Sequence, residues 1–312
     1  MFSHLLVPLD GSSLAEAALP YAFTLGKRLG AQLLLLRAQP PGPAEGGVPA
    51  KGVAAPGETL AYLEEVQRRA SAQGITSRIA AVPGNAAEAI LDAVATKKCD
   101  LVVMSTHGRS GITRWVLGSV ADKVLHAAAV PVLLIRPKAG GGAPDHTSVL
   151  SKIIVPLDGS GLAEAALQPA EQLARSLGLS LLLVQVVDPR IFNYVGPEMS
   201  GSYQNLYTSL DRTAKDYLIA LAAGPAKAGL AVETAVLNGL PGGSISDLAQ
   251  NTPGSLVVMS SHGRSGLSRW ALGSVAEKVA RDSLAPVLIL QSRVVRQRAG
   301  QGNGALAQRA PS

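Results

Sequence analysis

A chain of 312 residues has room for two ordinary domains, each with a sizeable core. Its apolar content of 47% and charged content of 16% fit a globular protein and exclude wholesale disorder. The formal charge of +6 is uneven: residues 1–138 carry net +4, 139–150 net −1, 151–292 net −1, and 293–312 net +4. A second half without cationic excess argues against a broad nucleic-acid face, which needs clustered cations on folded surface. Apolar runs such as Leu33–Leu36 and Leu181–Val184 fall far short of the ~20 residues of a membrane helix. The start, MFSHLLVPLD, lacks a basic segment and does not read as a signal peptide. The single cysteine, Cys99, excludes an internal disulfide, favours a reducing, cytoplasmic setting, and reads as core-edge packing.

Taken in order, the elements alternate. Leu5–Val7 is a first strand ended by Pro8. Ser12/Ser13 start a helix, Ser13 and Glu16 having capping-box spacing, and the helix runs to about Gly30, where a C′ glycine belongs. Leu33–Leu36 is a second strand whose continuous apolarity suits a parallel sheet covered on both faces. Gln39–Gly57, rich in Pro and Gly, predicts a mobile loop before a helix at about Glu58–Gln73. A third strand at Ser77–Val82, Gly84, a helix around Ala86–Thr96, a fourth strand ending at Met104, a helix from near Ser119 and a fifth strand at Pro131–Arg136 complete the unit.

The pattern then repeats. His4–Leu19 matches Lys152–Leu167 at 12 of 16 positions, and Ser105–Val120 (STHGRSGITRWVLGSV) matches Ser260–Val275 (SSHGRSGLSRWALGSV) at 12 of 16. The chain is therefore a tandem duplication: domain 1 at 1–138, a flexible linker at 139–150, domain 2 at 151–292, and a disordered basic tail at 293–312. In the second copy, strands fall at Ile153–Val155, Leu181–Val187, Ala231–Leu237, up to Met259, and Pro286–Gln291. Its helices start at Ser160/Gly161 (ending near Gly178), Leu210–Ala228, Ser244–Gln250 and from near Ser274. Asp188–Leu210, holding Phe192, Tyr194, Tyr203 and Tyr207, is where the copies diverge most and can be ordered. Five strands alternating with four helices predict two doubly wound α/β units, helices on both faces, with ligands beyond the carboxyl ends of the strands.

Two loops per unit carry candidate chemistry. Gly108 and Gly118-Ser119, with Gly263 and Gly273-Ser274 in the second copy, let backbone approach a ligand and leave helix N–H groups for an anion. The alternative is that Ser119 and Ser274 only cap their helices, with Asp122 and Glu277 at capping-box spacing. Asp10 and Asp158 can accept hydrogen bonds from a ribose or amine, or form Asp-Gly turns. Arg109 and Arg264 can reach phosphates, whereas Arg114 and Arg269 read better as a solvated face. His107 and His262 read as loop hydrogen-bonders without an acid partner, and Trp115 and Trp270 as apolar anchors. No metal-ligand cluster, P-loop or strand-led GxGxxG is present.

VPLDGS, the H-G-R-S-G loop, nine residues between Gly108 and Gly118-Ser119, and a closing PVLLIR together resemble the universal stress protein family, here as a tandem-domain member. The resemblance implies five-stranded parallel sheets of order 3-2-1-4-5, of the adenine nucleotide alpha hydrolase-like kind, and in one branch of the family an ATP with a divalent ion, Mg2+. That branch carries Gly-x2-Gly-x9-Gly-Ser/Thr; Ser105 and Ser260 replace the first glycine here. By the resemblance, Asp10 and Asp158 hold the adenine–ribose part, and Pro8, Leu9 and Ala38, or Pro156, Leu157 and Val186, line the base pocket. Met104, Ser105, Gly108, Gly118, Ser119 and Val120 face ribose and phosphates, as do Met259, Ser260, Gly263, Gly273, Ser274 and Val275. The expected function is ATP-dependent sensing or interaction in a stress response, without dedicated turnover. A weak ATPase or phosphotransfer enzyme and a nucleotide-free dimerisation scaffold are the alternatives. The family also implies pairing of the halves into an intramolecular pseudo-dimer along Val132–Ile135 and Val287–Leu290, with homo-oligomers open.

Overall fold

The computed structural model describes residues 2–39, 56–108, 117–137, 150–190, 200–263 and 272–291. Arg109, Arg264, Arg114, Arg269, Trp115, Trp270, Phe192 and Tyr194 lie outside them, as do nearly all of the expected linker and of the Gln39–Gly57 loop, the tail at 293–312 and the side chain of Tyr203. The chain divides into two compact units, residues 1–148 and 149–312.

The first unit contains β1 (His4–Pro8), α1 (Ser13–Glu16), α2 (Leu19–Leu29), β2 (Gln32–Gln39), α3 (Pro56–Ser71), β3 (Ser77–Pro83), α4 (Ala86–Thr96), β4 (Leu101–Ser105), α5 (Ser119–Ala127) and β5 (Val132–Ile135). Its strands run in the order β3-β2-β1-β4-β5, every pair parallel, as the family resemblance implies. The second unit repeats this with β6 (Lys152–Leu157), α6 (Gly161–Glu164), α7 (Leu167–Leu177), β7 (Ser180–Val187), α8 (Ser200–Lys227), β8 (Val232–Asn238), α9 (Pro241–Gln250), β9 (Ser255–Ser260), α10 (Ser274–Asp282) and β10 (Val287–Leu290). Its order is β8-β7-β6-β9-β10, again parallel. Right-handed crossovers put α2 and α3 on one face and α4 and α5 on the other.

The central strands explain the apolar runs. Leu5, Leu6 and Val7 on β1, and Val102 and Val103 on β4, are fully buried, as are Ile153, Ile154 and Val155 on β6. Both faces of these strands are covered, so apolar residues need not alternate with polar ones. Each buried Leu or Ile contributes about 2 kcal/mol of transfer free energy. The outer strand β3 has instead a half-buried, half-exposed pattern. Cys99 is 5% exposed at the foot of β4, at the core edge as expected. Among the described residues no helix is long and apolar enough to cross a membrane.

The helix boundaries correct several expectations. The first helix of each unit is not continuous: α1 stops at Glu16 and α2 starts at Leu19, with the same break between α6 and α7. Pro20 and Pro169 account for it, because a proline ring clashes with the carbonyl four residues before it and lacks a donor. The N-caps are Ser12 and Ser160, each accepting at Oγ from an amide three residues on at 3.2 Å, so Ser13 and Gly161 are first helical positions rather than caps. Gly30 and Gly178 do close their helices, at φ 64° and 69°, where a Cβ would be strained. Helix α8 starts ten residues earlier than expected, and α9 starts at Pro241 rather than Ser244.

Candidate functional site

In both units the site forms where β1 and β4, or β6 and β9, release their carboxyl ends. Asp10 follows β1, and its Oδ1 accepts from the Ser12 amide at 2.8 Å and the Ser12 hydroxyl at 2.6 Å. Asp158 does the same with Ser160, at 2.9 and 2.6 Å. These are Asx turns feeding the caps of α1 and α6. The second oxygen, Oδ2, faces the other way. A Cβ added to Gly108 would collide with Oδ2 of Asp10, and one on Gly263 with Oδ2 of Asp158. The two loops singled out in sequence therefore meet, carboxylate against glycine backbone.

The last helix closes the site. Gly118 and Gly273 are the N-caps of α5 and α10, in extended conformation, with no side-chain cap. Ser119 and Ser274 are first helical residues, so the capping-box reading of these serines does not hold. The Gly118 amide donates to the Thr106 carbonyl at 2.9 Å, and the Gly273 amide to Ser261 at 2.8 Å. This brings the helix mouth onto the loop that leaves β4 or β9. A Cβ at Gly118 would stand 2.8 Å from the Thr106 oxygen, and at Gly273 3.1 Å from that of Ser261. Glycine is thus required by the loop's own packing, and the amides of the first turn stay uncapped by side chains, at the positive end of the helix dipole.

The serines standing at the family's first glycine position are buried at the strand ends, Ser105 at 7% and Ser260 at 5% exposure. Ser105 Oγ accepts from the His107 amide at 3.3 Å, so the hydroxyl shapes the loop. His107 Nδ1 lies 2.9 Å from Thr106 Oγ1 and His262 Nδ1 3.1 Å from Ser261 Oγ, in keeping with loop hydrogen bonding. Among the described residues no group of three His, Cys, Asp or Glu side chains is placed to hold a metal ion.

Each unit has a crevice at this point. In the first, of about 280 Å³, Pro8, Leu9, Asp10, Ala38, Met104, Ser105, Gly108, Gly118, Ser119 and Val120 all line the wall. In the second, of about 410 Å³, so do Pro156, Leu157, Asp158, Val186, Met259, Ser260, Gly263, Gly273, Ser274 and Val275. Arg109 and Arg264 are outside the described residues. Sequence reasoning missed the roof: Ile90 on α4 and Ile245 on α9. Both stand six residues after the paired glycines Gly84 and Gly239, so the duplication carried the signal. It also missed Gln185, Leu210, Thr213 and Ala214, which line only the second crevice. At that mouth Arg190 hydrogen-bonds Asp188 and holds its carboxyl below the usual range.

Comparison with known proteins bears on the family and the fold. The model of the universal stress protein family matches the chain twice, over residues 1–136 and 150–291. A universal stress protein of Methanocaldococcus jannaschii is 29% identical over 144 residues, 46% of this chain and 84% of that one. One from Thermus aquaticus is 37% identical over 138 residues, 44% of this chain and all of that one. A solved universal stress protein from Archaeoglobus fulgidus superposes with a TM-score of 0.64 at 20% identity, over 92% of this chain and 96% of that one, which shows a shared fold. The chain belongs to the universal stress protein family, as a member carrying two of its domains in tandem.

Proposed function

We propose that each crevice binds an adenine nucleotide, ATP with Mg2+, and that the protein acts in a stress response as a cytoplasmic sensor or interaction module without dedicated turnover. The observation that carries this is the pairing, in both units, of a carboxylate oxygen, set against a glycine too close to it for any side chain, with a helix mouth whose N-cap is itself a glycine without a side-chain cap. Amides of the α5 or α10 first turn suit phosphate oxygens. Asp10 and Asp158 Oδ2 suit ribose hydroxyls, and Pro8, Leu9 and Ala38, or Pro156, Leu157 and Val186, suit the base. Arg109 and Arg264, which follow Gly108 and Gly263 in the sequence, belong to this reading as cationic partners for phosphate. Mg2+ enters in this reading on the triphosphate, since the described side chains supply no cluster for it.

Pairing of the halves through Val132–Ile135 and Val287–Leu290 belongs to the same proposal and rests on the apolar sequence of those strands. Cysteine crosslinks that fail between them overturn it. For the nucleotide, calorimetry of the full chain with ATP and magnesium is expected to show binding. Absence of binding at millimolar ATP overturns the reading in favour of a scaffold. Steady-state phosphate release abolished by Asp10→Ala and Asp158→Ala overturns the absence of turnover.

A further inference from the structure

The two crevices share a frame but end differently on the side of the second strand. Register sets Leu36 beside Pro8 and Val184 beside Pro156, so Arg37 and Gln185 hold the same place in the two units. In the first unit Arg37 is 6% exposed. Its guanidinium stands 5.2 Å over the ring of Tyr62 on α3. A Cβ at Gly11 would be 3.1 Å from its Nη1. Arg37 and Tyr62 therefore fill the space between the Asp10 loop and α3, and no described α3 residue lines that crevice. In the second unit the shorter Gln185 lines the crevice, and so do Leu210, Thr213 and Ala214 of α8. Gln185 Oε1 is buried without a hydrogen-bond partner, an unfavourable state that a donor relieves.

We propose that this space is an annex of the second crevice, denied to the first by Arg37, and that it takes an adenine nucleotide whose exocyclic amine carries an apolar group. The inference rests on the nucleotide reading given above. With phosphates at Gly273–Ser274 and ribose at Asp158, the base lies against Pro156, Leu157 and Val186. Its far edge then points past Val186 to Gln185 and α8. A secondary amine there keeps one N–H for Gln185 Oε1, and its carbon substituent meets Leu210 and Ala214. The crevices differ by about 130 Å³, close to the roughly 150 Å³ cavity that admits a benzene ring.

The test is calorimetry on the full chain with ATP and with N6-benzyl-ATP, one site blocked at a time. Gly108→Val blocks the first crevice and Gly263→Val the second, by filling the gap to Asp10 or Asp158. Ser119→Glu and Ser274→Glu, which set a carboxylate at the phosphate end, replace them if the valine chains lose their thermal transition. The chain blocked at the first site is expected to bind the benzyl analogue at least as tightly as ATP. The chain blocked at the second is expected to bind ATP but to lose at least about tenfold in affinity for the analogue. Adding Gln185→Arg to the first shifts the analogue-to-ATP ratio about tenfold toward ATP, and adding Arg37→Gln to the second shifts it back. Equal ratios in both blocked chains, or no shift with Gln185→Arg, overturn the annex while leaving the nucleotide reading intact. A failure of all four chains to bind ATP overturns both.

Discussion

Asp10 and Asp158 each divide their work between two oxygens. Oδ1 is spent on the turn that caps the next helix; Oδ2 faces the glycine loop in the crevice. The sequence left turn and ligand as alternatives, and nothing in VPLDGS separates them, because a residue name does not say which oxygen points where. The division makes a clean experiment possible. Asp158→Asn keeps an acceptor for Ser160 and loses the charge, so the thermal midpoint is expected to hold within a few degrees. ATP affinity at that site is expected to fall about tenfold, near 1.4 kcal/mol, measured by titration of the chain blocked at the first site. Unchanged affinity removes Asp158 from the ribose. A different residue-scale expectation concerns Cys99. Burial, then the neighbouring Asp100 charge, pushes its thiol up to about 11. The unfolded thiol ionises near pH 8.5, so between these values the unfolded chain holds fewer protons than the folded one. The stability that Cys99 contributes is present below pH 8.5 and is lost as pH rises toward 11. Iodoacetamide at pH 8 is accordingly expected to label the native protein at least about a hundredfold more slowly than the urea-unfolded chain; equal rates would show an exposed thiol.

At the scale of the element, most of the fold was legible and the reasons are specific. The buried strands β1, β4, β6 and β9 read as continuous apolar runs because both faces are covered. The strand order followed from the family resemblance. The break between α1 and α2 was signalled by Pro20, but the periodic apolar residues on either side read as one helix. The early start of α8 was overlooked: Tyr203, Leu206, Tyr207 and Leu210 do stand at helical spacing, but the polar residues and Gly201 around them read as a loop. Arg37 was illegible for another reason: charge marks a residue as exposed until an aromatic ring and a glycine make room for it inside. Elements also set how tightly the glycine loops are held. Gly118→Ala puts a methyl 2.8 Å from a backbone carbonyl that cannot move alone, whereas at Gly273 the gap is 3.1 Å. Gly118→Ala is expected to cost about 1–3 kcal/mol and Gly273→Ala less, in urea unfolding. Gly30→Ala meets no neighbouring atom, and only its left-handed φ of 64° opposes it, at about 1–2 kcal/mol. Equal effects of the two N-cap substitutions would show that the loops relax freely.

Across the whole molecule, duplication has kept some parts fixed and let others drift. The tip of the first strand, the glycine loop and the mouth of the last helix recur almost unchanged. In the proposed function these hold ribose and phosphate, parts common to every nucleotide. The segment between the second strand and the second helix has diverged, and with it Arg37 against Gln185, at the end where ligands differ. The charge distribution follows a separate logic. Of the formal +6, the tail from Arg293 to Ser312 supplies +4 and contains no acid. Weak, sequence-independent attraction to DNA should then depend on the tail, because each phosphate neutralised contributes a salt-dependent term of roughly 0.9 to the slope of log K against log salt. Removing residues 293–312 is expected to abolish retention on DNA at about 50 mM salt and to leave ATP affinity within about twofold. Persistent, salt-sensitive DNA binding after truncation would locate a cationic face on the folded units and reopen the nucleic-acid reading that the uneven charge argues against.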